Sequence, residues 1–307
     1  MIQITEFKSL IDLVKKFPDE KTCIEHLEAI RWNGNVVSPF DSASKVWKCA
    51  GFKYRCKTTE KYFNVRTGTI FGDSKIPLQK WFMAIYLVSN HKKGISSHQL
   101  AKDIEITQKS AWFLLHRIRY AFGHENFRQT FDTVVQADET FVGGKNKNRH
   151  MDKKVLNSQG RAGVDKTPVL GLLQGGRVDL TVIPDTKGDT LRPILKQKIK
   201  QGAILVTDEH DAYGWMRGHC FHIIVNHARG EHAHGAFHTN SIEGFWSQLK
   251  RGIFGIYHQV SRKHLHRYCD EFAYRYNSRK IGDPARFNLS LTGMGKRLRY
   301  QDLIKEN

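Results

Sequence analysis

The sequence predicts a multi-domain α+β protein: N-terminal helices, a small β-hairpin module and a helix-turn-helix unit precede a mixed α/β core. Three observations predict this. Apolar residues recur with helical period over the first 35 residues and again over 77–122. Between those stretches, at 36–71, Gly, Ser, Lys and aromatic residues interleave. After Asn126 strand and helix patterns alternate. With 307 residues the chain exceeds one average domain, and each unit is large enough to bury its own core.

In the first segment, Phe7, Leu10, Ile11 and Val14 form one apolar face, and Cys23 or Ile24 with Leu27 and Ile30 a second, so two short helices are expected. The hairpin is read around Trp47, Tyr54, Tyr62 and Phe63, with β-branched Val46, Val65 and Ile70. From 77 to 122 three stripes follow: Leu78, Trp81, Phe82, Ile85 and Val88; Ser97, Leu100, Ala101 and Ile104; Ala111, Leu115, Ile118 and Phe122. Ile106 and Thr107 occupy a tight turn, with Thr107 placed to cap the last helix. A short turn before the last of three helices makes a helix-turn-helix candidate whose last helix would expose Gln108, Lys109, His116, Arg117 and Arg119 to phosphates and base edges. An ordinary helical linker with a solvated charged face carries the same stripes.

Beyond 126 the pattern predicts strands at 133–142, 168–174 and 178–183, a helix at 190–200, strands at 203–208 and 222–226, and a helix at 240–254. A meander followed by helix, strand and helix implies a mixed sheet with helices on its faces. The domain boundaries expected are 1–35, 36–76, 77–125 and 126–290, with 291–307 as a C-terminal tail.

Lys and Arg number 49 against 30 Asp and Glu, a formal charge of +19, so a large polyanion is the expected partner. The longest strongly apolar run, 81–88, is far below the roughly 20 residues that span a bilayer, and no membrane partner is expected. No signal-peptide pattern opens the sequence, and five cysteines without paired spacing suit a reducing cytoplasm.

Asp138 lies within the first strand of the core, and Asp208 closes the fourth, where open sheets place ligand sites. Glu243 follows 35 residues later in the first turn of a helix. Lys250 falls almost directly over Glu243, with Ser247 and Asn240 nearby, whereas Ile242, Phe245, Trp246, Leu249 and Ile253 take another arc. Any one of these acids alone would read as solvated or capping. Together, three carboxylates in one cleft would raise one another's pKa, and a pair of hard cations, Mg²⁺ or Mn²⁺, removes that penalty. Two such ions about 4 Å apart can activate a water or a 3′-hydroxyl and stabilise the leaving oxygen of a phosphodiester.

The runs Asp138-Glu139-Thr140-Phe141-Val142-Gly143-Gly144-Lys145, Thr207-Asp208-Glu209-His210-Asp211-Ala212-Tyr213-Gly214 and His238-Thr239-Asn240-Ser241-Ile242-Glu243-Gly244-Phe245-Trp246 carry a family resemblance. So do Leu249-Lys250-Arg251-Gly252, Tyr257-His258, His264-Leu265 and Tyr276-Asn277-Ser278-Arg279. Over most of its length the chain resembles DDE transposases of bacterial insertion sequences, in the group with an N-terminal zinc ribbon. The resemblance implies an RNase H-like catalytic core with metal-binding acids at Asp138, Asp208 and Glu243 and a phosphate-contacting Lys250. Asn240 is a lesser candidate or supporting ligand, because some relatives assign the third acidic role to Asn, and His238 is placed to help orient the site. Where the family has two Cys-x-x-Cys knuckles, this chain has Ser38-Pro39-Phe40-Asp41 and Cys56-Lys57-Thr58-Thr59. A closed zinc site needs four ligands, so the module is expected to be a degenerate ribbon held by aromatic packing without zinc.

His227, His232, His234 and His238 read as a basic DNA-facing loop rather than a zinc site, since spacing fixes no thiolate or carboxylate partner. The insertion at 143–166, with Lys145, Lys147, Arg149, Lys153, Lys154 and Arg161, reads as DNA-contacting, although a merely solvated charged loop has the same composition. Arg251 joins the DNA-facing residues. The function expected is a transposase that binds terminal inverted repeats as a homodimer or larger assembly, cytoplasmic and nucleoid-associated when bound to double-stranded DNA. A structure-specific nuclease on the same core, or a DNA-binding regulator with an inactive one, are the alternatives.

Overall fold

The computed structural model describes residues 7–128, 130–143, 151, 166–208, 211–226, 233, 235 and 237–305. The chain divides into two compact units, Met1–Phe127 with Ser278–Asn307, and Arg128–Asn277.

The first unit opens with α1 (Leu10–Lys16) and α2 (Glu20–Trp32), whose caps Ser9 and Asp19 accept from backbone amides in the first turn. A three-stranded antiparallel sheet follows: β1 (Val46–Cys49), β2 (Lys53–Cys56) and β3 (Tyr62–Phe63). The expected hairpin therefore gains a third strand, and Tyr54 and Phe63 turn inward against Trp32. Next come α3 (Leu78–Asn90), α4 (Ser97–Asp103) and α5 (Gln108–Phe122), where the Thr107 hydroxyl caps α5 by accepting from Ser110 N at 3.2 Å.

The expected core boundary at 290 moves back to Asn277. Helix α9 (Asp283–Thr292) packs on α3, and its buried Phe287 lies edge-on to Phe82 and Phe7. The segment expected to be a tail supplies buried Met294, Leu298 and Leu303, the last on α10 (Tyr300–Ile304). Burial of those side chains, invisible to a reading of local period, binds 278–305 to the N-terminal helices.

In the second unit β4 (Val134–Val142), β5 (Thr167–Gln174), β6 (Arg177–Val182), β7 (Ile204–Thr207) and β8 (Phe221–Ile224) make one sheet in the order β6-β5-β4-β7-β8. Gly175 and Gly176, both at positive φ, make the two-residue turn that joins β5 to β6. β4 pairs antiparallel with β5 and parallel with β7, so direction switches at β4. Strand alternation sends Val135 and Ala137 into one core, shared with Leu191 and Leu195 of α6 (Gly188–Lys198) and with Tyr213 and Met216. Val142 enters the other, with Phe245 and Leu249 of α7 (Asn240–Gly252) and Phe272 of α8 (Leu265–Asn277). Among the described residues, no helix is long and apolar enough to cross a membrane.

Candidate active site

The site lies at the switch point, on the α7 side of the sheet. The last registered pair between β4 and β7 is Gln136 with Val206, and Asp138 and Asp208 each stand two residues beyond it. Asp208 therefore stands just past the carboxyl end of β7, where ligands of open sheets bind, and Asp138 lies midway along β4, beyond the part that pairs with β7. Glu243 sits exposed in the first turn of α7.

Two hydrogen bonds tie α7 to β4. Gln136 Oε1 accepts at 3.1 Å from Ile242 N, a first-turn amide shared with Thr239 O. The indole Nε1 of Trp246 donates to Asp138 Oδ2 at 2.9 Å. The ring can reach it because Gly171 is paired with Asp138 across β5: a Cβ there would meet two ring carbons at 2.6 Å. The backbone N–H of Glu139 donates to Asp138 Oδ1 at 2.7 Å. Near the helix start the Thr239 hydroxyl donates to Glu243 Oε1 at 2.7 Å.

Burial, followed by the negative charge of Asp208 and, less strongly, of Glu243, pushes Asp138 up to about 6, although its two donors hold it down in part. Glu139 points to the opposite face, where it accepts from the hydroxyl of buried Tyr213. Its burial, with Asp138 and Asp208 nearby, raises it to about 7 despite that donor, and Tyr213 is held well above the usual tyrosine range. Among the described residues no three His, Cys, Asp or Glu side chains are grouped closely enough to hold one metal ion. The acids are coupled through charge rather than gathered on one point.

The other expected site residues divide. Lys250 and Arg251 are exposed in the last turn of α7, and Arg251 Nε donates to Ser247 O at 3.1 Å. His238 Nδ1 lies 3.4 Å from Gln136 Nε2. Asn240 is the exposed first residue of α7, while Thr239 occupies the cap position and spends its hydroxyl on Glu243. Lys145, Lys147 and Arg149, the other basic residues named in the insertion, and His227, His232 and His234 lie outside the described residues.

On α5 the structure corrects the expected DNA-facing set. Gln108 and Lys109 are exposed, but His116, Arg117 and Arg119 are buried. Arg117 donates to Gly72 O at 2.6 Å and Leu298 O at 3.2 Å, and burial lowers its pKa to about 10. His116 packs edge-on to Trp112. For Arg117 the returning C-terminal segment is part of the cause, since it brings the Leu298 carbonyl to the guanidinium.

Gln136, Gly171, Tyr213 and the roles of Glu139 and Trp246 were missed by the reading of motifs. A glycine inside a predicted strand, which marks close approach of another group, was the available signal for Gly171.

The class is an α+β unit with one acid midway along β4, one just past the end of parallel β7 and a third in the first turn of α7. Residues 131–277 match the ISXO2-like transposase domain, so the second unit is a transposase domain of that family, and the chain is recognised as an insertion-sequence transposase of the DDE group. A protein in transposable element ISH50 of Halobacterium salinarum is 28% identical over 277 residues, covering 85% of this chain and 92% of its own. A transposase-like protein of Haemophilus influenzae is 28% identical over 106 residues, 34% of this chain and 85% of its own. Among solved structures, a chain in a pre-cleavage Mos1 transpososome is 13% identical, with coverage of 70% here and 79% there, at a TM-score of 0.21. One in the Mos1 strand transfer complex is 12% identical, covering 71% and 79%, at 0.19. Both likenesses are too slight to bear on the fold.

Proposed function

We propose that this transposase binds the terminal inverted repeats of its element and cuts and joins DNA strands at Asp138, Asp208 and Glu243, on an RNase H-like core. The observation that carries the reading is the pKa of Asp138, raised by burial together with the charges of Asp208 and Glu243, inside a transposase domain. A buried carboxylate that feels the charge of two further acids is one that a bound cation would stabilise in its ionised form.

The donor set fits hard cations. All three acids offer oxygen, and Asp138 accepts one hydrogen bond on each oxygen, which leaves further lone pairs for an ion. Two Mg²⁺ or Mn²⁺ ions, when bound, supply activation of the attacking oxygen and stabilisation of the leaving one. The chain's own residues do the positioning. Trp246 and the Glu139 amide fix the plane of the Asp138 carboxylate, Thr239 holds one oxygen of Glu243, and Gln136 sets the start of α7 against β4. Lys250 and Arg251 offer cations to phosphate from the far end of α7. Gln108 and Lys109, at the N-terminus of α5, are the residues left to read the repeats as part of a helix-turn-helix unit. Two element ends must be brought together, so a homodimer or larger assembly on double-stranded DNA is the working form.

Cleavage of a labelled terminal-repeat duplex in Mg²⁺ or Mn²⁺ tests the reading. Glu243→Gln keeps shape but removes a charge, and should abolish cutting while end binding persists. Asn240→Ala should cut with reduced or normal rate. If Glu243→Gln cuts normally and Asn240→Ala is dead, the third ligand is Asn240.

A further inference from the structure

The outer face of the three-stranded sheet carries a row of side chains that neither the core nor the candidate active site uses. Trp47 on β1, Arg55 on β2 and Tyr62 on β3 are registered neighbours across the sheet, Trp47 with Arg55 and Arg55 with Tyr62. The Arg55 guanidinium lies 5.9 Å from the centroid of each ring. Alternation explains the row, because Tyr54 and Cys56 on the same strand turn inward and Arg55 must turn outward. Trp47 is 42% exposed and Tyr62 62%, although rings of this size ordinarily hide most of their area.

Charge surrounds the row. Lys53 lies two residues before Arg55 and Lys57 two after, both exposed and of the same strand parity. Glu60, bonded to Arg55 at 2.9 Å and open to solvent, is the acid at this face. Flat, outward-facing rings bridged by a guanidinium and flanked by lysines match the chemistry that stacks unpaired bases while holding their phosphates. A protein partner would be met by an apolar centre depleted of lysine, which this face is not.

We infer that the outer face of the β1-β2-β3 sheet is a binding platform for single-stranded DNA, with Trp47 and Tyr62 stacking bases, Arg55 between them, and Lys53 and Lys57 on the backbone. The choice of DNA rests on the transposase reading, while the stacking mode rests on the row itself.

The test uses the full chain and two fluorescent probes, an oligothymidylate of about 15 nucleotides and a duplex of equal length. Trp47→Ala/Tyr62→Ala should weaken oligothymidylate binding about tenfold or more while leaving its salt slope and duplex binding nearly unchanged. Lys53→Gln/Lys57→Gln should lower the salt slope, and Glu60→Gln should tighten binding. Trp47→Phe/Tyr62→Phe retains flat rings, so it should bind within a few-fold of the parent even if the alanine pair melts early. Unchanged oligothymidylate affinity in a folded alanine pair overturns the proposal, as does an equal loss on duplex. A change in sedimentation of the free protein without loss of binding assigns the face to a second copy and also overturns it. Terminal-repeat cleavage by the same preparations reports separately on Glu243, so failure of one reading is distinguishable from failure of the other.

Discussion

Replacing Gly171 with alanine should dislodge Trp246 and loosen Asp138 from a distance. Gly171 lies at ordinary strand φ, so the backbone accepts a side chain, and removing a strand glycine would by itself stabilise by about 0.5–1 kcal/mol. The added Cβ, however, would stand 2.6 Å from the Trp246 Cη2 and Cζ2 atoms and 3.0 Å from Ile242 Cδ1. Trp246 is 4% exposed and Ile242 fully buried, so neither can swing into water. Overpacking of this kind costs about 1–3 kcal/mol. Tilting the ring also breaks its hydrogen bond to the Asp138 carboxylate, a bond to a charged group contributing about 1.5–3 kcal/mol. The net loss is about 2–4 kcal/mol, which in a unit of this size lowers Tm by about 5–15 °C. Thermal unfolding of Gly171→Ala, Trp246→Ala and the double variant measures it. Without the ring, the one left of the three nearest atoms is the terminal methyl of Ile242, which has the vacated space to move into, so Gly171→Ala should cost almost nothing in the Trp246→Ala background. An equal cost in both backgrounds refutes the argument.

Three further outcomes follow from the site and its surroundings. Asp138 and Glu139 titrate higher in the folded chain than in the unfolded one, as does Asp270, pushed by burial to about 6. Their stabilisation is complete below the unfolded pKa near 4 and is lost as pH rises through 6 to 7, at most about 3 kcal/mol for Asp138. Metal-free protein should therefore melt lower at pH 8 than at pH 5, with added Mg²⁺ or Mn²⁺ raising Tm at pH 8 and hardly at pH 5; a flat profile contradicts this. Arg117→Ala should destabilise by about 2–4 kcal/mol, since two backbone carbonyls lose their donor and a buried space opens, whereas Lys109→Ala should weaken DNA binding with little change in melting. Elemental analysis of purified protein should find no stoichiometric zinc, because Ser38, Asp41 and Thr59 stand where thiolates would be needed, and one equivalent per chain would overturn that expectation.

Elements with a strong local signature were legible in the sequence. The strand expected at 133–142 forms as Val134–Val142, and the helix expected at 240–254 forms as Asn240–Gly252 with a π-turn over Ile253–Tyr257. The Thr107 cap was legible because a hydroxyl just before an apolar stripe has few other uses. The opposing burial of Arg117 was not legible. A guanidinium is buried only where partners meet it, and those of Arg117 are the distant carbonyls of Gly72 and Leu298. The same holds for Glu139: its sequence neighbour Asp138 announces an acidic site, but alternation turns Glu139 to the other face, and only the fold brings Tyr213 there. The Trp246 indole reads as core from periodicity, and it is core; that its edge also serves Asp138 depends on the missing side chain at position 171.

The first unit is made from both ends of the chain, and the order of synthesis gives that arrangement a cost in time. Phe287, which packs against Phe7, Phe17 and Phe82, leaves the ribosome only after every residue of the second unit. At about 5–20 residues per second, the N-terminal helices wait on the order of ten seconds with an open apolar face before that ring arrives. The second unit, Arg128–Asn277, is continuous and can close on itself meanwhile. A nascent chain should therefore fold the sheet and helix that carry Asp138 and Glu243 before it completes the helices that carry Gln108 and Lys109. A fragment ending near residue 122 should behave like that nascent intermediate, sticky and incompletely packed, until a peptide spanning 278–307 is supplied in trans.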